Sequence, residues 1–324
     1  MNSTPSIYLA ACASALVTTF VSLPLWRAWC LRTGLVDDPG HRKIHAVPVP
    51  LAGGLAVLTG LLVPLLAAVL LLKLNLLNLA NADALLYGLN KRAVRLIAIA
   101  VGAIAMTMLG VLDDKHELRP LTKFTGQFFI ALLVASAGVR ITLFVPNVLF
   151  SYVVTILWLL TVINAFNFMD NMNGLCAGLG AIGAGWFAMI AGLDGQYLVA
   201  LIAFLTCGAL LGFLPHNFPN ARAFLGDAGS HLVGYLLAVL AILPHFYNKL
   251  NPRPWAVIAP LLVLAIPLAD LAWVVLIRWR RGKPFYVGDT NHLSHRLTRR
   301  GFSRTTTVLL IWLAAALIGG LAIL

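Results

Sequence analysis

Apolar stretches of about 20 residues, separated by short polar clusters, repeat along the whole chain. Residues 51–72 and 305–324, for example, contain no Asp, Glu, Lys or Arg. A helix needs about 20 apolar residues to cross the ~30 Å hydrocarbon layer of a membrane. The pattern therefore predicts an all-α, polytopic membrane protein with about ten transmembrane helices. The predicted spans are residues 5–27, 51–72, 93–112, 122–139, 147–166, 174–193, 196–214, 230–247, 255–278 and 304–324.

Basic residues are distributed unevenly between the two sides that these spans define. If the amino terminus lies outside, the loops at 28–50, 113–121, 167–173, 215–229 and 279–303 are cytoplasmic. These loops and the adjoining helix ends then hold 16 of the 23 Lys and Arg residues. Because cytoplasmic loops carry the excess of basic residues, we predict that both termini lie outside. The seven outer basic residues are Lys73, Lys91, Arg92, Arg95, Arg140, Lys249 and Arg253.

The composition excludes a soluble enzyme. Hydrophobic residues make up 60% of the chain, charged residues only 10%, and the mean hydropathy is +0.92, whereas soluble domains are roughly a quarter charged. A net charge of +12 would also suit a nucleic-acid partner, but the placement of the charges is typical of membrane topology. No internal repeat or soluble-sized insertion is visible, so we treat residues 1–324 as a single domain.

Carboxylates gather on the same side as the basic residues. Eight of the 11 acidic residues lie in or beside the predicted cytoplasmic loops, and Asp270 lies inside the ninth span. The positive-inside rule predicts no such excess of acids. Carboxylates and bases on one face suggest a site that handles anions through a metal ion. The eight residues are Asp37, Asp38, Asp113, Asp114, Glu117, Asp170, Asp227 and Asp289.

The third predicted span ends in a pair of carboxylates, Asp113 and Asp114. Paired acids at the mouth of an apolar helix are costly unless they meet a cation, and their hard oxygen ligands suit Mg²⁺. The alternative is a solvated helix end that pairs with Lys115.

An Asn-rich segment follows the fifth predicted span. Asn164, Asn167 and Asn171 lie at i, i+3 and i+7, on one face of a helix, and Asp170 and Asn173 lie beside them. These side chains are suited to lining a polar pocket. The alternative is a set of interhelical hydrogen bonds that serve only packing.

Two further segments carry candidate residues. Asp227 stands between Gly226 and Gly229 where a span begins, an arrangement that lets the backbone approach a phosphate at a helix N-terminus; an ordinary helix cap is the alternative. The last cytoplasmic loop contains His292, His295 and Arg296, which present several donors to phosphate oxygens. A patch for anionic lipid explains the preceding basic residues, Arg280, Arg281 and Lys283, equally well.

These motifs, in this order and on one membrane face, resemble the polyprenyl-phosphate N-acetylhexosamine-1-phosphate transferase family, and the resemblance covers nearly the whole chain. Each motif alone is weak evidence for the family, whereas five motifs in the family's order in a protein with ten predicted spans are specific evidence. The residues that carry it are Val36 to Pro39 with the following His45, Leu112 to Asp114, Asn164 to Gly174, Gly226 to Ser230, and Asp289 to Arg296.

The resemblance implies a reaction and its partners. Members of the family transfer a sugar 1-phosphate from a UDP-sugar to a polyprenyl phosphate such as undecaprenyl phosphate, release UMP, and require Mg²⁺, with Mn²⁺ as an alternative. It implies a multi-pass enzyme of the bacterial inner (cytoplasmic) membrane whose active site faces the cytoplasm. The sequence allows a homodimer without predicting one. The competing class is a secondary transporter. Transporters have repeated halves and a site near the membrane midplane, whereas this sequence has no visible repeat and nearly all of its polar candidates lie at one face.

The resemblance also implies roles for individual residues, according to their positions in the motifs. The resemblance implies that Asp227 and Asn167 bind the metal ion. The catalytic set that we assign comprises Asp113, Asp114, Asp170, His292 and His295. The substrate-binding set comprises Asn164, Asn167, Asn171, Asn173, Lys123, His45 and Arg296.

Two departures from the family pattern bear on which UDP-sugar the protein uses. Asn173 stands where the family has its usual second acid in the Asp-x-x-Asp-Gly stretch, and the triple-His loop of MraY-type members is absent. The second departure disfavours the muramyl-pentapeptide substrate and indicates the WecA-like or TagO-like branch, whose sugar is N-acetylglucosamine.

Overall fold

A computed structural model describes residues 4–38, 47–74, 76, 82–143, 145–246, 254–284, 286 and 289–323. This part of the chain is nearly all α-helical. Its helices are α1 (Thr4–Thr33), α2 (Gly53–Lys73), α3 (Ala82–Lys91), α4 (Ala93–His116), α5 (Pro120–Ser136), α6 (Val148–Met169), α7 (Leu175–Leu193), α8 (Tyr197–Asn217), α9 (Gly226–Leu240), α10 (Ala259–Val263), α11 (Ala265–Arg280), α12 (Leu293–Arg299) and α13 (Arg304–Gly320).

The predicted all-α, multi-span architecture is confirmed at this level, because each of the ten predicted segments contains a helix. Six helices, α1, α2, α4, α6, α7 and α8, are long and apolar enough to cross a membrane, and a seventh span results if α10 and α11 count as one. α5 and α13 are apolar but shorter. The count of ten spans and the outside position of both termini remain predictions.

The ninth predicted span, residues 255–278, is not one straight helix in the structure. α10 and α11 meet at Leu264 with a bend of 68°. Pro267 explains the break, because proline lacks an N–H and its ring clashes with the carbonyl four residues earlier, here that of Val263. The bend displaces α11 from the axis of α10.

α9 is the central helix of the bundle. Residues 228–240 are all buried, and α2, α4, α6 and α7 surround them. Small residues bring the backbones together, as is common where helices pack in membranes. A Cβ atom added to Gly54 would lie 2.4 Å from the backbone nitrogen of Gly229, and one on Gly110 would lie 2.3 Å from Cα of Ala228.

A short hairpin fixes the segment that leads into α9. β1 (Val36–Asp37) pairs antiparallel with β2 (Val49–Pro50). The carbonyl oxygen of Pro50 accepts a hydrogen bond from the N–H of Phe224 (3.0 Å), and the N–H of Gly53 donates to the carbonyl of Phe224 (2.9 Å). The start of α2 therefore holds the turn before α9 in place.

Candidate active site

A cavity of about 1040 Å³ lies where the C-terminal ends of α4 and α6 meet the N-terminal ends of α5 and α9. One part of its wall is polar and charged, and another, formed by α6 and α11, is apolar. The polar lining comprises Asp37, Asp38, Asp113, Asp114, Lys115, His116, Glu117, Lys123, Thr161, Asn164, Asn167 and Asp227. The apolar lining includes Leu51, Phe124, Leu157, Leu160, Phe168, Leu271 and Val275.

Asp113 is nearly buried and paired on both oxygens. α4 ends with Glu117 in the left-handed conformation, φ 47°, and this turn brings the N–H of Leu118 to Oδ1 of Asp113 (2.9 Å). Nζ of Lys123 lies 2.7 Å from Oδ2 of Asp113 and 3.1 Å from Oδ2 of Asp227. Lys123 therefore bridges two carboxylates from helices that are far apart in sequence.

Asp114 caps α9 from a different helix. Its Oδ1 accepts the N–H of Asp227 (2.7 Å) and its Oδ2 accepts the N–H of Ala228 (3.1 Å). Gly226 makes this approach feasible, because its φ is +70° and a Cβ atom there would lie 2.7 Å from Oδ2 of Asp114. The negative charge also suits the positive end of the α9 dipole. These contacts let Asp114 position Asp227, and the catalytic role assigned to Asp114 from the sequence remains a prediction.

We expect Asp114→Asn to lower the free energy of unfolding by about 1–2 kcal/mol, since an amide offers one oxygen where two N–H groups need acceptors. Thermal unfolding of the purified protein in detergent measures the loss. Glu117→Gln is the charge-matched control, because Glu117 is exposed at the same rim and, among the described residues, its side chain makes no hydrogen bond to α9. An equal loss of stability in both variants would contradict the capping role.

The two predicted asparagines of α6 that line the cavity have different partners. Nδ2 of Asn167 donates to Oδ1 of Asp227 and to Oγ of Ser230 (3.0 Å). Nδ2 of Asn164 donates to Oε1 of Gln127 on α5 (2.8 Å) and to the carbonyl of Leu160 (2.8 Å). Asn167 thus orients the Asp227 carboxylate, whereas Asn164 links two helices.

His231 is a candidate ligand that the sequence analysis missed. It follows Asp227 by four residues, which places both on one face of α9, and this spacing was the available signal. Carboxylate oxygens of Asp113 and Asp227 and a ring nitrogen of His231 lie within 4.8 Å of one another. His231 is fully buried, and neither ring nitrogen has a hydrogen-bond partner among the described residues, an arrangement that is costly unless something binds there.

The donor set fits the divalent cation that the motifs imply. Mg²⁺ is bound in proteins through one or two carboxylates, with waters and substrate phosphates completing its shell. Asp113 and Asp227 supply two carboxylates whose oxygens lie within 4.8 Å of each other. The imidazole of His231 adds a nitrogen ligand, which Mn²⁺ accepts more readily than Mg²⁺ does.

Asp170 lies just beyond the end of α6, beside the carboxylate cluster. Its side chain reaches solvent, yet desolvation by the surrounding helices, together with the charges of Asp227 and Asp114, raises its pKa to about 8. The negative charges of Asp227 and Asp114 thus disfavour the ionised form of Asp170, and a cation bound nearby would offset that repulsion.

The remaining asparagines hold loops. Oδ1 of Asn171 accepts the hydroxyl of Ser294 (2.6 Å), which ties the end of α6 to α12. Nδ2 of Asn173 donates to the carbonyl of Pro219 (3.0 Å). Neither side chain lines the cavity.

His292 is held by Asp270, the acid that the sequence placed inside a span. Nδ1 of His292 lies 2.7 Å from Oδ2 of Asp270, and the N–H of Leu293 donates to Oδ1 (2.6 Å). Both residues are buried. Because Nδ1 is engaged, Nε2 is the nitrogen of His292 that remains for a substrate.

Arg278 and Phe168 connect this histidine to the cavity. Phe168 lines the cavity and meets the ring of His292 edge-on, with 5.6 Å between ring centroids. The guanidinium of Arg278 lies 4.9 Å from the centroid of the Phe168 ring and 2.8 Å from Asp289. Although burial acts to raise it, the hydrogen bonds from Arg278 and from the N–H of Asn291 hold the pKa of Asp289 below its usual value.

The other predicted residues of the last loop are Arg296 and His295. The guanidinium of Arg296 lies 4.7 Å from the centroid of the Trp273 ring. Partial burial, with the charges of His292 and Arg299, lowers the pKa of His295. Neither residue lines the cavity. The structure thus brings together Asp113, Asp114, Lys123, Asn164, Asn167 and Asp227, and the predicted residue His45 lies outside the described residues.

Comparison with known proteins shows the family to which this chain belongs. Residues 96–245, which run from α4 past the end of α9, match the model of a family described as glycosyl transferase family 4. A Bacillus subtilis protein named probable undecaprenyl-phosphate N-acetylglucosaminyl 1-phosphate transferase is 31% identical over 307 residues, which cover 92% of this chain and 79% of that protein. The chain belongs to glycosyl transferase family 4.

Other similar members of glycosyl transferase family 4 carry related names. The decaprenyl-phosphate N-acetylglucosaminephosphotransferase of Mycobacterium tuberculosis is 32% identical, over 94% of this chain and 79% of that protein. The undecaprenyl-phosphate alpha-N-acetylglucosaminyl 1-phosphate transferase of Escherichia coli is 27% identical, over 90% and 77% respectively. The resemblance inferred from the motifs is confirmed, and the segment matched by the family model contains Asp113, Asp170 and Asp227.

Proposed function

We propose that this chain transfers N-acetylglucosamine 1-phosphate from UDP-N-acetylglucosamine to a polyprenyl phosphate, most simply undecaprenyl phosphate, and releases UMP. The names of its relatives support the transferred group and the lipid acceptor. Family membership favours this transferase over a secondary transporter. We further propose a multi-pass position in the bacterial inner membrane, with the cavity open to the cytoplasm.

The single observation that carries the proposal is the mixed character of the cavity. Carboxylates and a lysine lie at one end of it, and Leu157, Leu160, Leu271 and Val275 form an apolar wall beside them. A phosphate joined to a long hydrocarbon needs both surfaces at once, whereas a soluble acceptor would need no apolar wall.

The reaction displaces one phosphate ester by another. An oxygen of the lipid phosphate attacks the sugar-linked phosphorus of the UDP-sugar, a new P–O bond forms, and the bond to UMP breaks. The lipid phosphate is largely dianionic at pH 7, since its second pKa is about 6. The attacking oxygen therefore needs no base of great strength, and electrostatic repulsion between the two phosphates is the main obstacle.

Residues of this chain are placed to reduce that repulsion. Lys123 can exchange its carboxylate contacts for phosphate oxygens, because its ammonium group lies at the cavity wall. Asn167 donates to the carboxylate of Asp227, and Asp114 accepts from its backbone N–H, so both hold Asp227 in place. Asp113, Asp227 and His231 would hold a divalent cation, which when bound supplies positive charge for the diphosphate. His292, held by Asp270 through Nδ1, can donate from Nε2 to phosphate when its imidazole carries both protons.

Release of UMP tests the proposal. Purified protein in detergent receives UDP-N-acetylglucosamine, undecaprenyl phosphate and Mg²⁺, and each component is omitted in turn. We expect UMP only when all three are present, with UDP-muramyl pentapeptide inactive in place of the sugar donor. UMP release without the lipid phosphate, or none with any UDP-sugar, would contradict the proposed transfer.

We expect Asn173→Asp to retain activity within about threefold of wild type. Asn173 donates to the carbonyl of Pro219, a contact that a carboxylate loses, but a single exposed hydrogen bond contributes only about 1 kcal/mol. Asp170→Asn should be far more damaging, because Asp170 lies within the electrostatic cluster. Steady-state UMP release measures both variants. An inactive wild type that Asn173→Asp restores would show that residue 173 must be an acid.

We expect His292→Ala to lower kcat/KM more than His295→Ala, and Arg280→Ala to have the smallest effect. His292 is the histidine that contacts the cavity-lining Phe168, while Arg280 is exposed at the end of α11. Loss of one phosphate donor costs about 10²-fold. Equal small losses in all three variants would instead favour a basic loop that serves only membrane attachment.

A further inference from the structure

A second, smaller cavity lies at the other end of α4 and is surrounded by arginines. Its volume is about 110 Å³. Arg92 and Arg95 reach it from the start of α4, and Arg140 reaches it from the segment after α5. The rest of the lining is mostly apolar and comes from α4, α8 and the segments after α5 and α9. It comprises Leu96, Ile99, Gly138, Val139, Leu198, Val199, Ile202, Ile242, Leu243 and one further polar residue, His245.

This cavity, here called the arginine pocket, is separate from the candidate active site. Arg92 and Asp113 lie at opposite ends of α4, about 30 Å apart at 1.5 Å per residue. That separation matches the thickness of the hydrocarbon layer. The two cavities therefore face opposite surfaces of the membrane.

The positive charge of the arginine pocket is not neutralised by the described part of the protein. None of the described carboxylates lines it, and the ion pairs found among the described residues do not include its arginines. The guanidinium of Arg140 lies 5.0 Å from the centroid of the Tyr152 ring, a contact that leaves its charge in place. Three guanidinium groups around one small space repel one another unless an anion joins them.

Membrane topology does not explain these arginines. In the predicted orientation they lie on the outer side, where the positive-inside rule favours few basic residues. They also come from separate segments: Arg95 packs against Gly138, since a Cβ atom there would lie 3.2 Å from Nε of Arg95. A pocket assembled from α4 and the α5–α6 connection is a feature of the fold rather than a charged loop.

The size and lining of the pocket indicate its ligand. A volume of 110 Å³ corresponds to about three or four water molecules, enough for one phosphate group but not for a nucleotide. Guanidinium groups bind phosphate through paired hydrogen bonds. Leucine and isoleucine side chains beside them suit the glycerol and first methylene groups of a lipid rather than a free ion. We propose that Arg92, Arg95 and Arg140 bind the phosphate of an anionic phospholipid at the membrane surface opposite the active site.

Lipid binding to the purified full-length chain tests the proposal. Native mass spectrometry and thermal unfolding are measured with dioleoyl phosphatidylglycerol, dioleoyl phosphatidylcholine and inorganic phosphate as separate probes. We expect phosphatidylglycerol to bind and to raise the unfolding temperature. In the triple variant Arg92→Gln, Arg95→Gln, Arg140→Gln its affinity should fall at least about tenfold, given that each juxtamembrane arginine favours anionic lipid severalfold.

Two controls make the outcome specific. Lys91→Gln removes a charge at the same end of the molecule but outside the pocket, where Lys91 lies over the ring of Tyr87, and it should bind phosphatidylglycerol like wild type. Arg95→Gln alone should give an intermediate affinity if the triple variant is unstable. Equal binding by wild type and Arg95→Gln, or equal stabilisation by phosphatidylcholine, would overturn the proposal. Full stabilisation by inorganic phosphate would overturn the assignment to a lipid.

Discussion

Asp227→Ala is expected to abolish UMP release while leaving the protein folded. The carboxylate of Asp227 contacts Lys123 and Asn167 and lies beside Asp113 and His231, so its removal takes away the group on which the candidate cation site depends. The cation that Asp227 would hold supplies the positive charge that stabilises developing negative charge, and loss of one such electrostatic contribution costs about 10²–10³-fold in kcat. We expect a loss of at least about 10³-fold.

The control for this prediction separates chemistry from folding. Asp227→Asn keeps the size of the side chain and an acceptor for Asn167 but removes the charge, so it should be nearly as inactive as Asp227→Ala. Yield and unfolding temperature in detergent should remain close to those of wild type for both variants, because α9 keeps its Asp114 cap on the backbone. Turnover near the wild-type rate in either variant would exclude Asp227 from the site.

Gly110→Ala is expected to have the largest effect on folding. A Cβ atom at this position would lie 2.3 Å from Cα and 2.4 Å from the backbone nitrogen of Ala228. Backbone atoms cannot move aside as a flexible side chain can, so α4 and α9 would separate. Overpacking lowers the free energy of unfolding by about 1–3 kcal/mol even where side chains give way. Because backbone atoms clash here, we expect a loss of at least about 3 kcal/mol. Activity should also be lost, because Asp114 and Asp227 would move apart.

Gly185→Ala is the matched control for this substitution. Gly185 also lies inside a helix, α7, but a Cβ atom there would meet only Sγ of Cys207 at 3.9 Å, an ordinary contact. Thermal unfolding of the two variants side by side measures the difference. A Gly110→Ala protein that is as stable as Gly185→Ala would show that α4 and α9 do not pack as closely as the structure indicates.

The sequence predicted the helices well because a membrane permits few alternatives. Backbone groups in hydrocarbon must be satisfied within their own segment, so each long apolar run becomes a helix wherever it packs. Hydropathy could not predict the break at Leu264, because residues 255–269 around it are all apolar; Pro260 and Pro267 were the available signals.

The sequence predicted several residues of the candidate site but not which of them contact one another. Clusters of acid and amide residues at helix ends identified Asp113, Asn167 and Asp227, which the cavity brings together. The capping of α9 by Asp114 joins residues more than one hundred positions apart, and no local periodicity contains such a contact. His231 was overlooked because one histidine in an apolar run is usually a packing residue.

The partner of Asp270 illustrates the same limit. A carboxylate inside a span is expected to find an internal partner, and the sequence indicated that much. Only the bend between α10 and α11 and the return of the chain into α12 place His292 against it.

The short length of α9 has a consequence for how the protein enters the membrane. Its 15 residues span about 22 Å, less than the hydrocarbon layer, and they include Asp227, Ser230 and His231. Such a segment is poorly suited to insert alone into lipid. Its neighbours α2, α4, α6 and α7 all precede it in the chain. During synthesis the surrounding helices are therefore made before the helix that they enclose. α9 then moves into a protein-lined space in which Asp227 and Ser230 find hydrogen-bond partners on α5 and α6.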